Sequence, residues 1–304
     1  MIQDKIRKKE LGYLFYGLTP PKTNNDADKI QLIANMQIER LKGLEIDGLI
    51  LYDIQDESSR TDSPRPFPYM PCLAPELYSK DYLRELAIPK IIYKSVGKYT
   101  EESFKTWLQE YSNQIDCAVF VGSPSKTQNN ALPLSTAYKI KQETKASLLL
   151  GGVTIPERHA KKADEHLRLF DKTDKGCSFF ISQCVYSVNN SKDFLSDYYY
   201  ASQEQNRALQ PIIFTLTPCG SLKTLQFMEW LGIDIPRWLH NDLKHSHDIL
   251  SKSIASCRNI ALELLEYSTN KNIPIGFNIE SVAIRKEEIE ASIALVKDIK
   301  SLMI

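Results

Sequence analysis

The chain has 304 residues, 42% hydrophobic and 25% charged, with Lys+Arg and Asp+Glu both at 38. No run reaches the ~18 consecutive apolar residues of a membrane span, and balanced charge leaves no basic footprint for nucleic-acid phosphates. A soluble, cytoplasmic globular protein is expected, with neither membrane nor nucleic acid as a partner.

The N-terminal stretch MIQDKIRKKELGYLFYG has charges but neither the apolar run nor the small-residue cleavage site of a secretory signal. The six cysteines form no CxxC pair, and Cys117, Cys177 and Cys184 lie in or beside apolar runs. Buried, reduced thiols are therefore expected.

Eight short apolar runs follow in chain order: YLFYGL from Tyr13, DGLILY from Asp47, KIIYKS from Lys90, CAVFVG from Cys117, SLLLGG from Ser147, SFFISQ from Ser178, PIIFTL from Pro211 and IPIGFN from Ile273. Most are continuous rather than alternating, as strands buried on both faces of a parallel sheet should be. Helix-like segments separate them, among them 25–44, 101–112, 134–144, 157–176, 219–232 and 285–303. Strand then helix throughout predicts an α/β fold, a single (β/α)8 TIM barrel over 1–304.

Two connections are long. Residues 53–80, with five prolines from Pro64 to Pro75, are too irregular for a helix and should fold over the barrel mouth. Residues 235–268 read as a short helix followed by a long one.

Active sites of this fold sit at the C-terminal ends of the strands. The candidates are Gly17 and Thr19; Tyr52, Asp53, Asp56 and Glu57; Lys94 and Ser95; Gly122 and Ser123; Gly151, Gly152, Glu157 and His159; Gln183; Thr215 and Thr217; and Asn278 and Glu280.

Four blocks, colinear over nearly the whole chain, resemble the methylenetetrahydrofolate reductase family. They are YGLTPPK at the first strand, GGVTIPERH followed by RLFDKTDKGCSFFISQ, PIIFTLTP followed by GIDIPRWL, and IGFNIES. The resemblance implies reduction of 5,10-methylenetetrahydrofolate to 5-methyltetrahydrofolate with NAD(P)H, and with it a role in methionine biosynthesis. It implies that Gln183 orients the pterin, since an amide donates and accepts at once. Tyr52, Glu157, His159, Thr215, Asn278 and Glu280 are the other expected substrate contacts; PERH also reads as an ordinary helix start.

Departures from the family pattern stand beside the matches. Flavin-bearing members carry a Glu where this chain has Gly17, and an Asp where it has Ser123. On the helix after strand five Lys172 is kept, but Asp171 stands where a basic residue often lies near the flavin phosphates, and would repel them. Ser123 and Lys172 are the remaining candidate cofactor contacts. FAD is expected to be absent, with hydride passing directly from NAD(P)H.

The acid lost at Gly17 is expected on the second-strand loop, Glu57 first and Asp53 second, under the proline-rich flap, with Arg60 as a pairing partner for Glu57. Two other readings remain open: a non-catalytic folate-binding or partner subunit, and a reductase retaining weakly bound FAD. A homo-oligomer is compatible with either. His245 and His247 read as surface histidines, Trp230 and Trp238 as core, and GSPSKT as too poor in glycine for a phosphate cradle.

Overall fold

The computed structural model describes residues 2–58, 61–123 and 131–303. Eight parallel strands close into a barrel in sequence order. They are β1 (Tyr13–Leu18), β2 (Gly48–Leu51), β3 (Lys90–Ser95), β4 (Cys117–Val121), β5 (Leu149–Thr154), β6 (Cys177–Cys184), β7 (Ile212–Leu216) and β8 (Ile275–Glu280). The (β/α)8 barrel is as expected. No helix among the described residues is long and apolar enough to cross a membrane.

Twelve α-helices are described: α1 (Ile2–Lys8), α2 (Ala27–Leu41), α3 (Pro75–Asp81), α4 (Glu101–Tyr111), α5 (Leu134–Glu143), α6 (Pro156–Lys162), α7 (Glu165–Asp174), α8 (Val188–Glu204), α9 (Leu222–Trp230), α10 (Arg237–Lys244), α11 (Ile249–Thr269) and α12 (Lys286–Leu302). Local chemistry starts several of them. Asp26 accepts from Lys29 N at the head of α2, and Thr100 with Ser103 forms a capping box on α4. Along α2 the buried residues Ile30, Ala34, Ile38 and Leu41 recur at three- and four-residue spacing, which lays one apolar stripe on the barrel wall.

Three expectations are corrected here. Residues 75–80, the end of the connection read as irregular, lie in α3, because Pro75 at the first helical position is pre-set for a helix start. The segment 157–176, read as one helix, is two: Ala163 adopts a left-handed conformation (φ 49°) and its N–H closes on His159 O. Trp238, read as core, is 63% exposed, whereas Trp230 is 8% exposed.

The barrel interior is a packed core. Tyr13, Phe15, Ile50, Ile91, Cys117, Val119, Phe179, Ile181 and Ile213 fill it, and Ile2 and Ile6 of α1 pack against the same cluster. All six cysteines are free thiols, and five of them, Cys72 excepted, are buried. On β8, Gly276 lies opposite Tyr13 so closely that an added Cβ would stand 2.3 Å from Tyr13 O. Gly276→Ala is therefore expected to destabilise the fold by about 1–3 kcal/mol, toward the upper end because the obstacle is backbone. A urea unfolding midpoint unchanged from the parent protein would contradict this.

Candidate active site

The alternation that places Phe15 inside puts Gly17 above it, at the C-terminal end of β1. Its neighbours in register are Ile50 on β2 and Glu280 on β8. A Cβ built on Gly17 would stand 2.9 Å from the Tyr52 ring, 3.0 Å from Glu280 Oε2 and 3.1 Å from Glu280 Cβ. The space that a β1 side chain would claim is thus held by the carboxylate of the adjacent strand and by the tyrosine of the other neighbour.

Glu280 is the centre of a polar ring at the C-terminal ends of the strands, the floor of the barrel mouth. Its Oε1 accepts from Cys184 Sγ and from Thr217 Oγ1, both at 3.3 Å, and these two groups are 2.9 Å from each other. Oε2 is buried without a hydrogen-bond partner. Burial is the largest influence on this carboxyl and raises its pKa, although the surrounding donors oppose the shift. Burial, and then the neighbouring Glu280 charge, holds the Tyr52 hydroxyl well above its usual range.

Asn278 continues the ring: its Nδ2 donates to Tyr52 OH at 2.9 Å and to Thr215 Oγ1 at 3.3 Å, and its Oδ1 is buried without a partner. Thr215 Oγ1 in turn donates to Ser182 O at 2.8 Å. Tyr52 and Tyr93 meet edge to face, ring centroids 4.8 Å apart, and form an aromatic wall. The floor therefore offers one carboxyl, one amide oxygen with no partner, and flat apolar surface. That combination suits a planar heterocycle bearing ring nitrogens.

The other expected site residues stand outside this hydrogen-bonded ring. Gln183 donates its amide to Leu231 O at 3.3 Å, which ties the end of β6 to the turn after α9. Asp53 accepts from Ser95 N at 2.9 Å and forms an ion pair with Lys98, so it fastens β2 to β3. Glu57 lies half-buried beyond the end of β2, and its proposed partner Arg60 is outside the described residues. Lys94, at a strand end, points away from the mouth and pairs with Glu76 in the wall. Ser123 follows the end of β4 and lies against Gly97. The GSPSKT loop is outside the described residues from Pro124 onward.

Glu157 and His159 are both buried. Neither Glu157 oxygen has a hydrogen-bond partner, and burial, with Asp234 and Glu165 nearby, lifts its pKa to about 8. His159 contacts α7 and α8, with Nε2 3.0 Å from Asp197 Oδ2 and its ring packed on His166 and Phe194. Lys172 donates to Val153 O, and Asp171 is an exposed residue paired with Lys175. These two residues do not fit the flavin-diphosphate cradle that the family pattern would place here: one cation is spent on a carbonyl and the carboxylate is spent on α7 itself.

The proline-rich flap reaches from the end of β2 to α9, the helix after β7, and its Cys72 bridges Lys22 after β1. Trp230 Nε1 on α9 donates to Ser63 O at 2.9 Å, and Arg65 lies over the rings of Tyr69, Phe227 and Trp230. Phe67 meets Phe227 edge to face. A flap over the mouth is what residues 53–80 led one to expect.

Cys184 and Tyr93 were not singled out by sequence. Cys184 reaches the ring through the register shift between Ile181 and Cys184 on β6, which period-two counting does not foresee.

A barrel whose floor carries these groups belongs to a class of ligand-binding or catalytic (β/α)8 proteins. A family model described as methylenetetrahydrofolate reductase matches residues 131–293, just over half the chain. The solved structure of an uncharacterized protein from Clostridium thermocellum, described as binding two copies of 5-methyl-5,6,7,8-tetrahydrofolic acid, is 53% identical. It covers 99% of both chains with a TM-score of 0.88. This chain belongs to the methylenetetrahydrofolate reductase family. Two other solved structures are far less similar: 7,8-dihydropteroate synthase from Vibrio fischeri ES114 (10% identity, 96% and 93% coverage, TM-score 0.48) and 2,3-dimethylmalate lyase (11%, 99% and 96%, 0.46). No curated protein sequence matches the chain.

Proposed function

We propose that this protein reduces 5,10-methylenetetrahydrofolate to 5-methyltetrahydrofolate with NAD(P)H, and that Glu280 is its proton donor. The observation that carries this reading is the Glu280 carboxyl in the space beside Gly17, on the strand next to the one where related enzymes keep their acid. The family and the folate bound by the Clostridium thermocellum protein support the substrate class.

Each residue has a task in this reading. Glu280, whose pKa burial raises, donates its proton to the nitrogen of the methylene bridge, so that the bridge opens to an iminium cation. The nicotinamide supplies hydride to that carbon, and the sum is one hydride and one proton consumed per methyl formed. The carboxylate left on Glu280 stabilises the cation in a site of low dielectric. The Tyr52 and Tyr93 rings stack or edge the pterin, Asn278 Oδ1 accepts one of its N–H groups, and Gln183 lines the rim. The flap excludes water from the hydride. Because Lys172 and Asp171 offer no cradle for a flavin diphosphate, no step is routed through FAD.

The test is NADH or NADPH oxidation with 5,10-methylenetetrahydrofolate, with and without added FAD, alongside an absorbance spectrum of the purified protein. Oxidation independent of FAD and a spectrum free of flavin bands are expected. Tight 5-methyltetrahydrofolate binding without oxidation would instead favour a folate-binding protein of the same fold.

A further inference from the structure

Outside the barrel, α6, α7 and α8 bring His159, His166 and Asp197 together. One donor atom from each lies within 4.8 Å of the others. His159 is only 4% exposed, and the Nδ1 atoms of both histidines are buried with no hydrogen-bond partner. A simple His–Asp pair explains only the 3.0 Å contact between His159 Nε2 and Asp197 Oδ2. It leaves the second imidazole and two bare ring nitrogens unexplained.

We propose that His159, His166 and Asp197 bind a divalent transition-metal ion. Two imidazoles and one carboxylate are the donor set of three-ligand zinc sites with an open position, and of related first-row metals. Donors on one such ion, with bonds of about 2.0–2.2 Å, are about 3–3.5 Å apart. The cluster closes onto an ion by a shift of about an ångström, which the exposed Asp197 side chain can supply. The site spans three helices, so the ion acts as a staple holding α6 and α7, the pair separated at Ala163, against α8. No residue of the barrel floor takes part, so this proposal stands or falls apart from the reductase reading.

The full-length protein, stripped with a chelator, is titrated with Zn2+ by calorimetry and with Co2+ by visible absorption. One equivalent of metal is expected, with a rise in melting temperature on binding. His166→Ala and Asp197→Asn, both at residues not fully buried, are each expected to weaken binding by about tenfold or more and to abolish the thermal shift, while 5-methyltetrahydrofolate binding is unchanged. Failure of the wild-type protein to bind either metal, or equal binding by both variants, overturns the proposal.

Discussion

Glu280→Gln is expected to lower reductase turnover by about 10²–10⁴, the range for loss of a general acid, while leaving 5-methyltetrahydrofolate affinity nearly intact. The amide keeps the shape and the hydrogen bonds available from Cys184 and Thr217 but has no acidic proton to transfer. The pH dependence has a definite sign. A carboxyl raised by burial stays protonated above the ordinary glutamate range near about 4.3, so turnover should decline as pH rises through the raised pKa, and the Gln variant should lack that limb.

Stability moves the other way for the variant. The folded state binds the Glu280 proton more tightly than the unfolded chain does. The stability this contributes is therefore greatest below the unfolded pKa and is lost as pH rises through the folded one. An amide in place of the carboxyl removes that loss, so the variant should be no less stable than the parent at alkaline pH, and lost activity cannot be put down to unfolding. Wild-type turnover in Glu280→Gln would remove the residue from the chemistry. A second arm uses the vacated space: Gly17→Glu combined with Glu280→Ala moves the carboxylate to β1, and should recover part of the activity that Glu280→Ala loses. Glu57→Gln should turn over like the parent.

Glu76→Ala should destabilise the fold by about 3–5 kcal/mol, the cost of leaving a buried charge uncompensated. Lys94 and Glu76 are 2% and 6% exposed, joined at 2.5 Å between α3 and β3, and Trp107 Nε1 donates to the same Glu76 oxygen at 3.1 Å. The Lys94 ammonium also lies 4.9 Å from the centroids of Tyr99 and Trp107. Removing the carboxylate strands that ammonium among rings and apolar wall. Replacing both partners by Leu and Met should cost much less than the single change, because no charge is left behind. Chemical denaturation followed by circular dichroism measures both, and a loss below about 1 kcal/mol, the scale of a surface pair, would contradict the prediction.

Much of the architecture is legible in the chain. Continuous apolar runs such as KIIYKS and CAVFVG correspond to strands with little change of boundary, since a strand buried on both faces has no polar alternation to confuse it. The flap was legible because five prolines forbid a long helix there. Boundaries that depend on one residue's backbone were not: Ala163 carries no sign that it will turn left-handed.

The site divided in the same way. Asp53 and Lys94 stand at strand ends and look equally available, yet one clamps β3 and the other faces the wall. Side-chain direction at a strand end depends on register and on what neighbouring elements offer, and neither is local. His159 follows the strand-five glycines closely in sequence but is turned into the helical layer, against His166, Phe194 and Asp197, by the short helix that holds it.

By itself the sequence determined the barrel, its strand order and the family, because periodicity, turn residues and colinear motifs are properties of neighbours along the chain. Only the tertiary structure decided which carboxylate stands in the gap at Gly17. Positions 17 and 280 are far apart along the chain and become neighbours when β8 closes on β1, so the proposal of Glu280 as proton donor rests on barrel closure.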